Sequence, residues 1–489
     1  MNRLAAAAAL FVAVAASAGD PLTPAEKRGR EIYLHGKSAA RPIAAFFGAD
    51  DAGEIDASVV PCASCHGPDG RGVPEGTVAP SDIRWSVLEK PFSSSDGGRR
   101  RPRYDAGLLA RAVRNAVDSG GTPLFAVMPR YRVADHDLED LLAYLRRLGN
   151  EPQPGLDDSA IVVATVVPLS GPRQAVGESV RGVISGYFDD INKAGGLFGR
   201  QLKLEAIDAA APAAKVATAL RGGIFAVVGA SWSPNDRGLD DVIGAERIPL
   251  VTPFATAADS RSSVSSFFIF PDLESQALAL IEFAAERAAK RPMRIALVHD
   301  GTKAAEAAAN AVAGRCTSLG WSVSRKAADD ADLLLVIGNV DVPAVAATIK
   351  SHEILIAGAS ISKSLFELRG RAVFVAVPTL PGDISEEGSV EIESFGTRHR
   401  LDPAHRAAEI AAYATAKLFV DALRRGGRDL TREKLIASLE HLYGFATGVT
   451  PPLTYGPNRH VGAVGAYIVG IDFDRRTFGA ASRWITPSE

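Results

Sequence analysis

The stretch Pro61-Cys62-Ala63-Ser64-Cys65-His66-Gly67 holds two of the three cysteines of this 489-residue chain. In a helix, the thiols of Cys62 and Cys65 would lie about one turn apart, and His66 follows directly. This spacing lets two thiols form thioether bonds to the two vinyl groups of one porphyrin, while the adjacent imidazole binds the iron. The stretch therefore predicts one covalently attached haem c, with Cys62 and Cys65 as its thioether positions and His66 as an axial ligand.

Two other functions of a C-x-x-C pair fit the surrounding sequence less well. A redox pair of the thioredoxin kind lies where a strand passes into a helix of a βαβ unit, and no such pattern surrounds Cys62. A zinc site needs further Cys or His ligands at short spacing, but the remaining cysteine, Cys316, is far away in the sequence. Cys316 lies in an alanine-rich helical stretch, where we expect a small buried hydrophobic residue.

The scarcity of methionine narrows the choice of a second axial ligand. The chain has only Met1, Met128 and Met293, and Met128 lies before a predicted helix, next to Pro129. A thioether opposite a histidine favours ferrous iron, raises the reduction potential and closes the iron to external ligands. Met128 is therefore the predicted second ligand. His136 is an alternative ligand, and a plain packing role for Met128 is another alternative.

Residues 24–148 resemble a class I c-type cytochrome. The resemblance is carried by a helix at Pro24 to Leu34, the stretch Cys62 to Gly72, a helix at Tyr104 to Ala116, and Met128 to Tyr131 followed by a helix at Asp135 to Leu145. It implies an all-α domain in which the first and last helices cross beside the haem. This crossing would explain the apolar stripe of the last helix, which comprises Leu138, Leu141, Leu142 and Leu145.

The family pattern does not account for two features of this region, a long stretch before the cysteines and a basic run. The stretch Lys37 to Val60 is longer than the family usually has there, and we expect a surface loop, with a cover over the haem edge as the alternative. A basic run precedes Tyr104 and comprises Arg99, Arg100, Arg101 and Arg103. Such runs are often solvated surface, but neutralisation of the haem propionates and docking of an acidic redox partner are alternatives.

The beginning of the chain predicts export to the periplasm. Arg3 precedes an apolar stretch that ends in Ala16-Ser17-Ala18, the pattern of a cleaved signal peptide over residues 1–18. The apolar run is shorter than the roughly 20 residues that a bilayer span needs, and no other stretch qualifies. We therefore expect a soluble periplasmic protein without a membrane span, in the compartment where haem is attached to thiols.

Length and composition require a second domain. One cytochrome domain uses about 130 residues, and the whole chain is 47% hydrophobic with a net charge of −3. This balance argues against nucleic acid or an acidic membrane as a partner. Proline, glycine and acidic residues at 150–158 predict a linker between domains at 19–149 and 159–489. Beyond it, short apolar runs alternate with helical segments, which predicts doubly wound α/β sheets with ligand sites at the carboxyl ends of the strands.

Residues 160–475 resemble the leucine/isoleucine/valine-binding proteins of ABC importers. The resemblance is carried by Val166 to Pro172, Asp190 to Arg200, Val227 to Ser231, Ile248 to Thr256, Phe268 to Asp272 and Ala411 to Ala416. It implies a type I periplasmic binding protein, with two α/β lobes that close on a ligand by a hinge motion. Three chain crossings between the lobes are expected near Pro271, at 377–382 and at 445–454.

The same resemblance implies positions for a ligand. Hydroxyl and backbone N–H groups that would hold a carboxylate fall at Ser231, Ala255 and Thr256, with Ser170 as a further candidate. The aromatic wall of the family is replaced by Val176, and the acidic partner of the amino group by Ala359-Ser360. A buried ammonium without a carboxylate is poorly compensated, so amino-acid recognition is not expected. A small organic acid, or a lobe that lost its ligand and became a docking surface, are the alternatives.

No motif in the chain indicates an enzyme, since G-x-S-x-G, a Walker loop and H-E-x-x-H are all missing. Two functions remain. The chain could carry electrons from a periplasmic dehydrogenase toward a terminal oxidase, with the second domain docking the partner or sensing a ligand. Alternatively, it could be the substrate-binding component of a branched-chain-amino-acid-type importer with a cytochrome attached. The complete haem motif and the altered amino-acid site favour the first function.

Overall fold

The chain forms two compact units, Met1–Pro152 and Gln153–Glu489. The computed structural model describes residues 22–47, 53–73, 79–93, 100–151, 153–231, 237–252, 265–289, 291–325, 331–358, 363–380 and 384–488. The expected signal peptide at 1–18 lies outside these residues. The boundary between the units falls inside the expected linker at 150–158, but part of that segment is already folded into the second unit. The N–H of Val162 there donates to the carbonyl of Gly155 (2.6 Å).

The described part of the first unit is mainly helical, with two small antiparallel sheets. Its helices are α1 (Pro24–His35), α2 (Cys62–His66), α3 (Trp85–Leu88), α4 (Ala106–Asn115) and α5 (Asp135–Leu145). Its strands are β1 (Ala44–Phe46), β2 (Glu54–Asp56), β3 (Phe92–Ser93), β4 (Arg100–Arg101) and β5 (Arg130–Arg132). One sheet has the order β2-β1-β5, and the other pairs β3 with β4.

The first helix begins at a capping box and crosses α5 at a glycine. Thr23 and Glu26 satisfy each other's backbone N–H groups at the start of α1. A Cβ on Gly29 would lie 2.0 Å from the carbonyl oxygen of Asp140, so only glycine permits this close approach. Arg28 then donates two hydrogen bonds to the Asp140 carboxylate, at 2.6 and 2.8 Å. The expected crossing of the first and last helices is confirmed.

The expectation of a plain surface loop at residues 37–60 was wrong. Within this stretch, β1 and β2 form an antiparallel pair, and β1 also pairs with β5, with Ala45 opposite Tyr131. Ala45 and Ile43 are buried in the core of the unit. None of its described strand residues lines the large cavity described below.

The first lobe of the second unit is built on a parallel sheet. Its strands are β6 (Ala160–Val167), β7 (Gln201–Asp208), β8 (Ala226–Val228), β9 (Leu250–Thr252) and β10 (Ser266–Phe268), in the order β10-β9-β8-β6-β7. Its helices are α6 (Gln174–Lys193), α7 (Ala213–Leu220), α8 (Arg237–Ala245), α12 (Glu386–His399), α13 (Arg406–Gly426) and α14 (Arg432–Glu440). Strands β6 and β8 are almost wholly buried, as continuous apolar runs between helices predict.

The second lobe contains a larger, mixed sheet. Its strands are β11 (Arg294–His299), β12 (Ser322–Ser324), β13 (Leu333–Ile337), β14 (Glu353–Ala357), β15 (Ala372–Val377), β16 (Tyr467–Asp472) and β17 (Thr477–Ala480), in the order β12-β11-β13-β14-β15-β16-β17. The last two strands are antiparallel to their neighbours, and the others are parallel. Its helices are α9 (Leu273–Ala288), α10 (Lys303–Ser318) and α11 (Val342–Thr348). Cys316 is fully buried in its core, as expected.

Two of the three expected crossings agree with the structure, and the third does not. The chain leaves the first sheet at Pro271, between β10 and α9, and returns between β15 and α12. The third crossing was expected at 445–454, but these residues pack with the first lobe, where Phe445 pairs with Leu453. The chain crosses between Ala463, which is in the first core, and Ala466, which is in the second. None of the helices in the described ranges is long and apolar enough to cross a bilayer.

Candidate functional site

A cavity of about 370 Å³ lies inside the first unit and brings three of the predicted haem positions together. Cys62, His66 and Met128 all border it. Most of the other lining side chains are apolar or aromatic: Tyr33, Ile83, Val87, Leu88, Phe92, Tyr104, Leu109, Ala112, Val113, Leu124, Tyr131, Leu141 and Leu145. Cys65, the fourth predicted position, is exposed in the same short helix α2.

One nitrogen of the His66 ring is held by the backbone. Nδ1 lies 2.9 Å from the carbonyl oxygen of Ser81, which accepts a hydrogen bond when Nδ1 carries the proton. That tautomer leaves Nε2 with a free lone pair, the form in which a histidine binds a metal. Burial of the ring lowers the pKa of His66, although the Ser81 carbonyl opposes this effect. A neutral imidazole with Nε2 available is what an axial ligand requires.

Two buried tyrosine hydroxyls hold the backbone on either side of α2. The hydroxyl of Tyr33, in α1, donates to the carbonyl of Gly67 (2.7 Å), directly after His66. The hydroxyl of Tyr131, in β5, donates to the carbonyl of Val60 (2.7 Å), two residues before Cys62. Helix α2 has five residues and no side-chain cap of its own. These two hydrogen bonds therefore connect both ends of α2 to distant parts of the chain.

The two candidates for the second axial ligand lie in different surroundings. Met128 is half-buried on the cavity wall, and its N–H donates to the carbonyl of Phe125 (2.9 Å). The side chain of His136 is 60% exposed and pairs with the carboxylate of Asp137 (3.3 Å). His136 is not among the residues that line the cavity. The geometry therefore favours Met128 over His136.

One arginine of the basic run borders the cavity. The guanidinium of Arg101 lies over the rings of Tyr104 (4.9 Å) and Phe92 (5.7 Å), and both rings line the same wall. Arg100 and Arg103 are exposed, and Arg99 lies outside the described residues. Arg101 is the one lysine or arginine among the described lining residues. A cation at this wall suits the carboxylate groups of a porphyrin.

The donor groups of the cavity suit haem better than a bare metal ion. An imidazole nitrogen and a thioether sulfur are typical axial ligands of haem iron in electron-transfer cytochromes, and the apolar lining suits a porphyrin. Across the described ranges, no group of three or more His, Cys, Asp or Glu side chains could hold a metal ion. The zinc alternative for the C-x-x-C pair therefore finds no support in this part of the chain.

In the second unit, Ser170 is already engaged by a carboxylate. Its hydroxyl donates to Asp208 (2.7 Å), at the carboxyl end of β7, and the N–H groups of Leu169 (2.8 Å) and Ala210 (2.9 Å) donate to the same carboxylate. The hydrogen bond from Ser170 and those from the two N–H groups lower the pKa of Asp208. A negative charge beside Ser170 would repel an anionic ligand there.

The other predicted ligand positions are only partly described. The N–H of Ser231 donates to the carbonyl of Val166 (2.7 Å), so only the hydroxyl of Ser231 is left for a ligand. Val176 is 37% exposed near the start of α6. The predicted positions Ala255, Thr256 and Ala359-Ser360 lie outside the described residues.

Sequence reasoning missed the partners of several site residues. Backbone carbonyls are the partners of three site side chains: Ser81 for His66, Val60 for Tyr131 and Gly67 for Tyr33. Every residue has such a carbonyl, so the sequence does not show which one is used. Asp208 was also missed. The sequence does contain a sign of it, because Asp208 lies at the end of a predicted strand and Ser170 lies in the loop after the neighbouring strand.

Comparisons with known proteins identify both units. Residues 58–149 match the family model of cytochrome c, and residues 160–361 match that of a periplasmic binding protein. The chain therefore joins a cytochrome c domain to a type I periplasmic-binding-protein domain. A Leu/Ile/Val-binding protein, BraC3 of Rhizobium johnstonii, is 37% identical over 103 residues, which cover 20% of this chain and 28% of that relative. The match thus spans well under half of the relative's length.

Solved structures support the fold of the binding-protein domain. A fatty acid ABC transporter substrate-binding protein from Thermomonospora curvata is 17% identical with a TM-score of 0.51, and the match covers 69% of this chain and 95% of that protein. A substrate-binding protein of an ABC transporter from Aeropyrum pernix is 19% identical with a TM-score of 0.51, covering 68% and 97%. At such identities the likeness shows the fold and not the ligand.

The first prediction concerns Met128. Met128→Ala is expected to remove the weak absorption band near the red edge of the visible range that a sulfur ligand gives to ferric haem. It should also lower the midpoint potential by about 0.1 V or more, within the roughly 0.8 V that axial ligands control. His136→Ala is the matched control and should change neither property. The assignment is wrong if His136→Ala removes the band and Met128→Ala leaves it in place.

Proposed function

We propose that this protein is a periplasmic one-electron carrier with a single haem c. In this proposal Cys62 and Cys65 hold the porphyrin, and His66 and Met128 are the axial ligands. The observation that carries the proposal is that His66 and Met128 border the same apolar cavity as Cys62. The electron would come from a periplasmic dehydrogenase and pass toward a terminal oxidase.

Two protein ligands suit electron transfer and not catalysis. When haem is bound, it supplies a metal that changes its charge by one. His66 and Met128 would occupy both axial positions and leave no site for a substrate at the metal. The apolar lining would exclude water, and the guanidinium of Arg101 would offset the charge of the porphyrin carboxylates at the cavity wall.

The binding-protein domain would serve docking of the redox partner or sensing of a small organic ligand. Support comes from the Asp208 carboxylate beside Ser170 and from the backbone N–H of Ser231, which is already used by Val166. Both features weaken a grip on an amino-acid carboxylate. The second candidate function, solute binding for an importer, is favoured by the likeness to BraC3. That likeness, however, includes only 28% of the relative.

The carrier function predicts a closed iron and a single electron. In a potentiometric titration, the full-length holo-protein should follow a reversible one-electron curve, and its ferrous form should not bind carbon monoxide at neutral pH. Met128→Ala is the positive control, because removal of the thioether should let carbon monoxide bind. Immediate carbon monoxide binding by the unmodified protein, or steady turnover of a substrate at the haem, would contradict a carrier.

A further prediction separates the carrier from the importer. Titration calorimetry of the full-length protein should show no micromolar binding of leucine, isoleucine or valine. Loss of the partner of a buried charge costs roughly 3–5 kcal/mol, and about 1.4 kcal/mol corresponds to a tenfold change in Kd, so binding should be millimolar or weaker. Ser360→Glu, which returns a carboxylate to the position that the resemblance indicates, is the gain-of-binding control. A micromolar Kd for the unmodified protein would restore the importer function.

A further inference from the structure

The small sheet β2-β1-β5 joins the segment behind Met128 to the stretch that departs from the cytochrome pattern. Strand β1 is the middle strand, with β2 on one side and β5 on the other. Ala45, at its centre, is fully buried opposite Ile55 and Tyr131. Strand β5 begins at Arg130, so one residue, the buried Pro129, separates it from Met128. Whatever fixes β5 therefore restricts how far Met128 can move.

The other end of the same sheet leads directly into the haem-binding motif. Strand β2 ends at Asp56, and the N–H of Ala57 donates to the carbonyl of Ile43 (2.9 Å). Val60, which precedes Pro61 and Cys62, accepts the hydroxyl of Tyr131 (2.7 Å). Tyr131 thus belongs to the strand behind Met128 and also holds the backbone that enters α2. The sheet and this hydrogen bond, together called the clasp, connect the two segments that carry the predicted axial ligands.

The outer surface of the clasp adds contacts between its strands. The guanidinium of Arg132, on β5, lies 4.5 Å from the centre of the Phe46 ring on β1. The same guanidinium lies 3.4 Å from the carboxylate of Glu54 on β2. One side chain of β5 therefore contacts both other strands. Both charged side chains, Arg132 and Glu54, are exposed, so an exchange of their charges places no charge in the core.

We propose that the clasp is a positioning device that keeps Met128 on the iron, with Tyr131 as its positioning residue. This inference rests on the proposed function, in which Met128 is the axial ligand. A thioether is a weak ligand for ferric iron, so restraint of the backbone that carries it favours the bound state. Strand pairing and the bond from Tyr131 to Val60 both restrict that backbone on the side of Met128 that leads into β5. Loosening the clasp should therefore let Met128 leave the iron more often, without altering the metal site itself.

The decisive pair of variants is Tyr131→Phe and Tyr33→Phe. Each removes one buried hydroxyl that donates over 2.7 Å to a carbonyl beside α2, and each keeps a ring on the cavity wall. Only Tyr131 belongs to the strand behind Met128. In the full-length ferric holo-protein, Tyr131→Phe should speed cyanide binding about threefold to tenfold, the change that corresponds to loss of one hydrogen bond. It should also weaken the red-edge band, and both effects should be larger than in Tyr33→Phe, because Tyr33 holds the His66 side of α2 and not the strand behind Met128.

A charge exchange on the clasp surface provides a second test that leaves both tyrosines unchanged. Arg132→Glu should speed cyanide binding in the same direction, because it loses the Phe46 contact and faces Glu54 with a like charge. Adding Glu54→Arg should restore part of the original rate. If the unmodified protein shows no red-edge band, the proposed function fails and the clasp has no ligand to hold. If the band is present but Tyr131→Phe and Tyr33→Phe have the same cyanide rate, or Arg132→Glu has no effect, the clasp is refuted.

Discussion

The helix that carries Cys62, Cys65 and His66 is held by residues outside it, and the geometry of the predicted haem site depends on that restraint. A helix of five residues is far too short to be stable alone, and α2 has no side-chain cap. The hydroxyls of Tyr33 and Tyr131 hold the carbonyls on its two sides. Tyr33 can do so only because α1 is fixed against α5, where Gly29 lies against the carbonyl of Asp140. The site geometry is thus a consequence of packing between distant parts of the chain.

The cytochrome c domain could be predicted from the sequence because the chemistry of haem attachment fixes residue type and spacing. Thioether attachment requires cysteines at a set separation with an adjacent histidine, so Cys62, Cys65 and His66 could be read without a structure. Met128 could be proposed because methionine is rare in the chain. The α/β sheets of the second unit could be predicted for a related reason. Buried strands between helices need continuous apolar runs, as in β6 and β13.

The parts that could not be predicted depend on contacts between residues far apart in the sequence. Strands of three residues, such as β1 and β5, are too short for an alternating pattern to emerge, so their pairing left no signal. The carbonyl of Ser81 behind His66 is a backbone group, and any residue could supply it. The third crossing was placed too early, because residues 445–454 have no regular pattern that shows which sheet they join.

The binding-protein domain keeps the fold of its relatives, but two of its predicted ligand positions make internal hydrogen bonds. Its sheets follow the type I arrangement, but the described positions that resemble a carboxylate grip are used internally. Ser170 donates to Asp208, and the N–H of Ser231 donates to Val166. In the proposed function, the first unit would therefore carry the electron, and the second would bind a partner or ligand that does not present an amino-acid carboxylate.

X-ray absorption at the iron edge of the full-length ferric protein tests the central claim most directly, because it reports the atoms bound to the metal. The account predicts one sulfur neighbour together with nitrogens of the porphyrin and of His66, and loss of the sulfur in Met128→Ala. Coordination by nitrogen alone in the unmodified protein, or a purified protein that holds no iron, would contradict it.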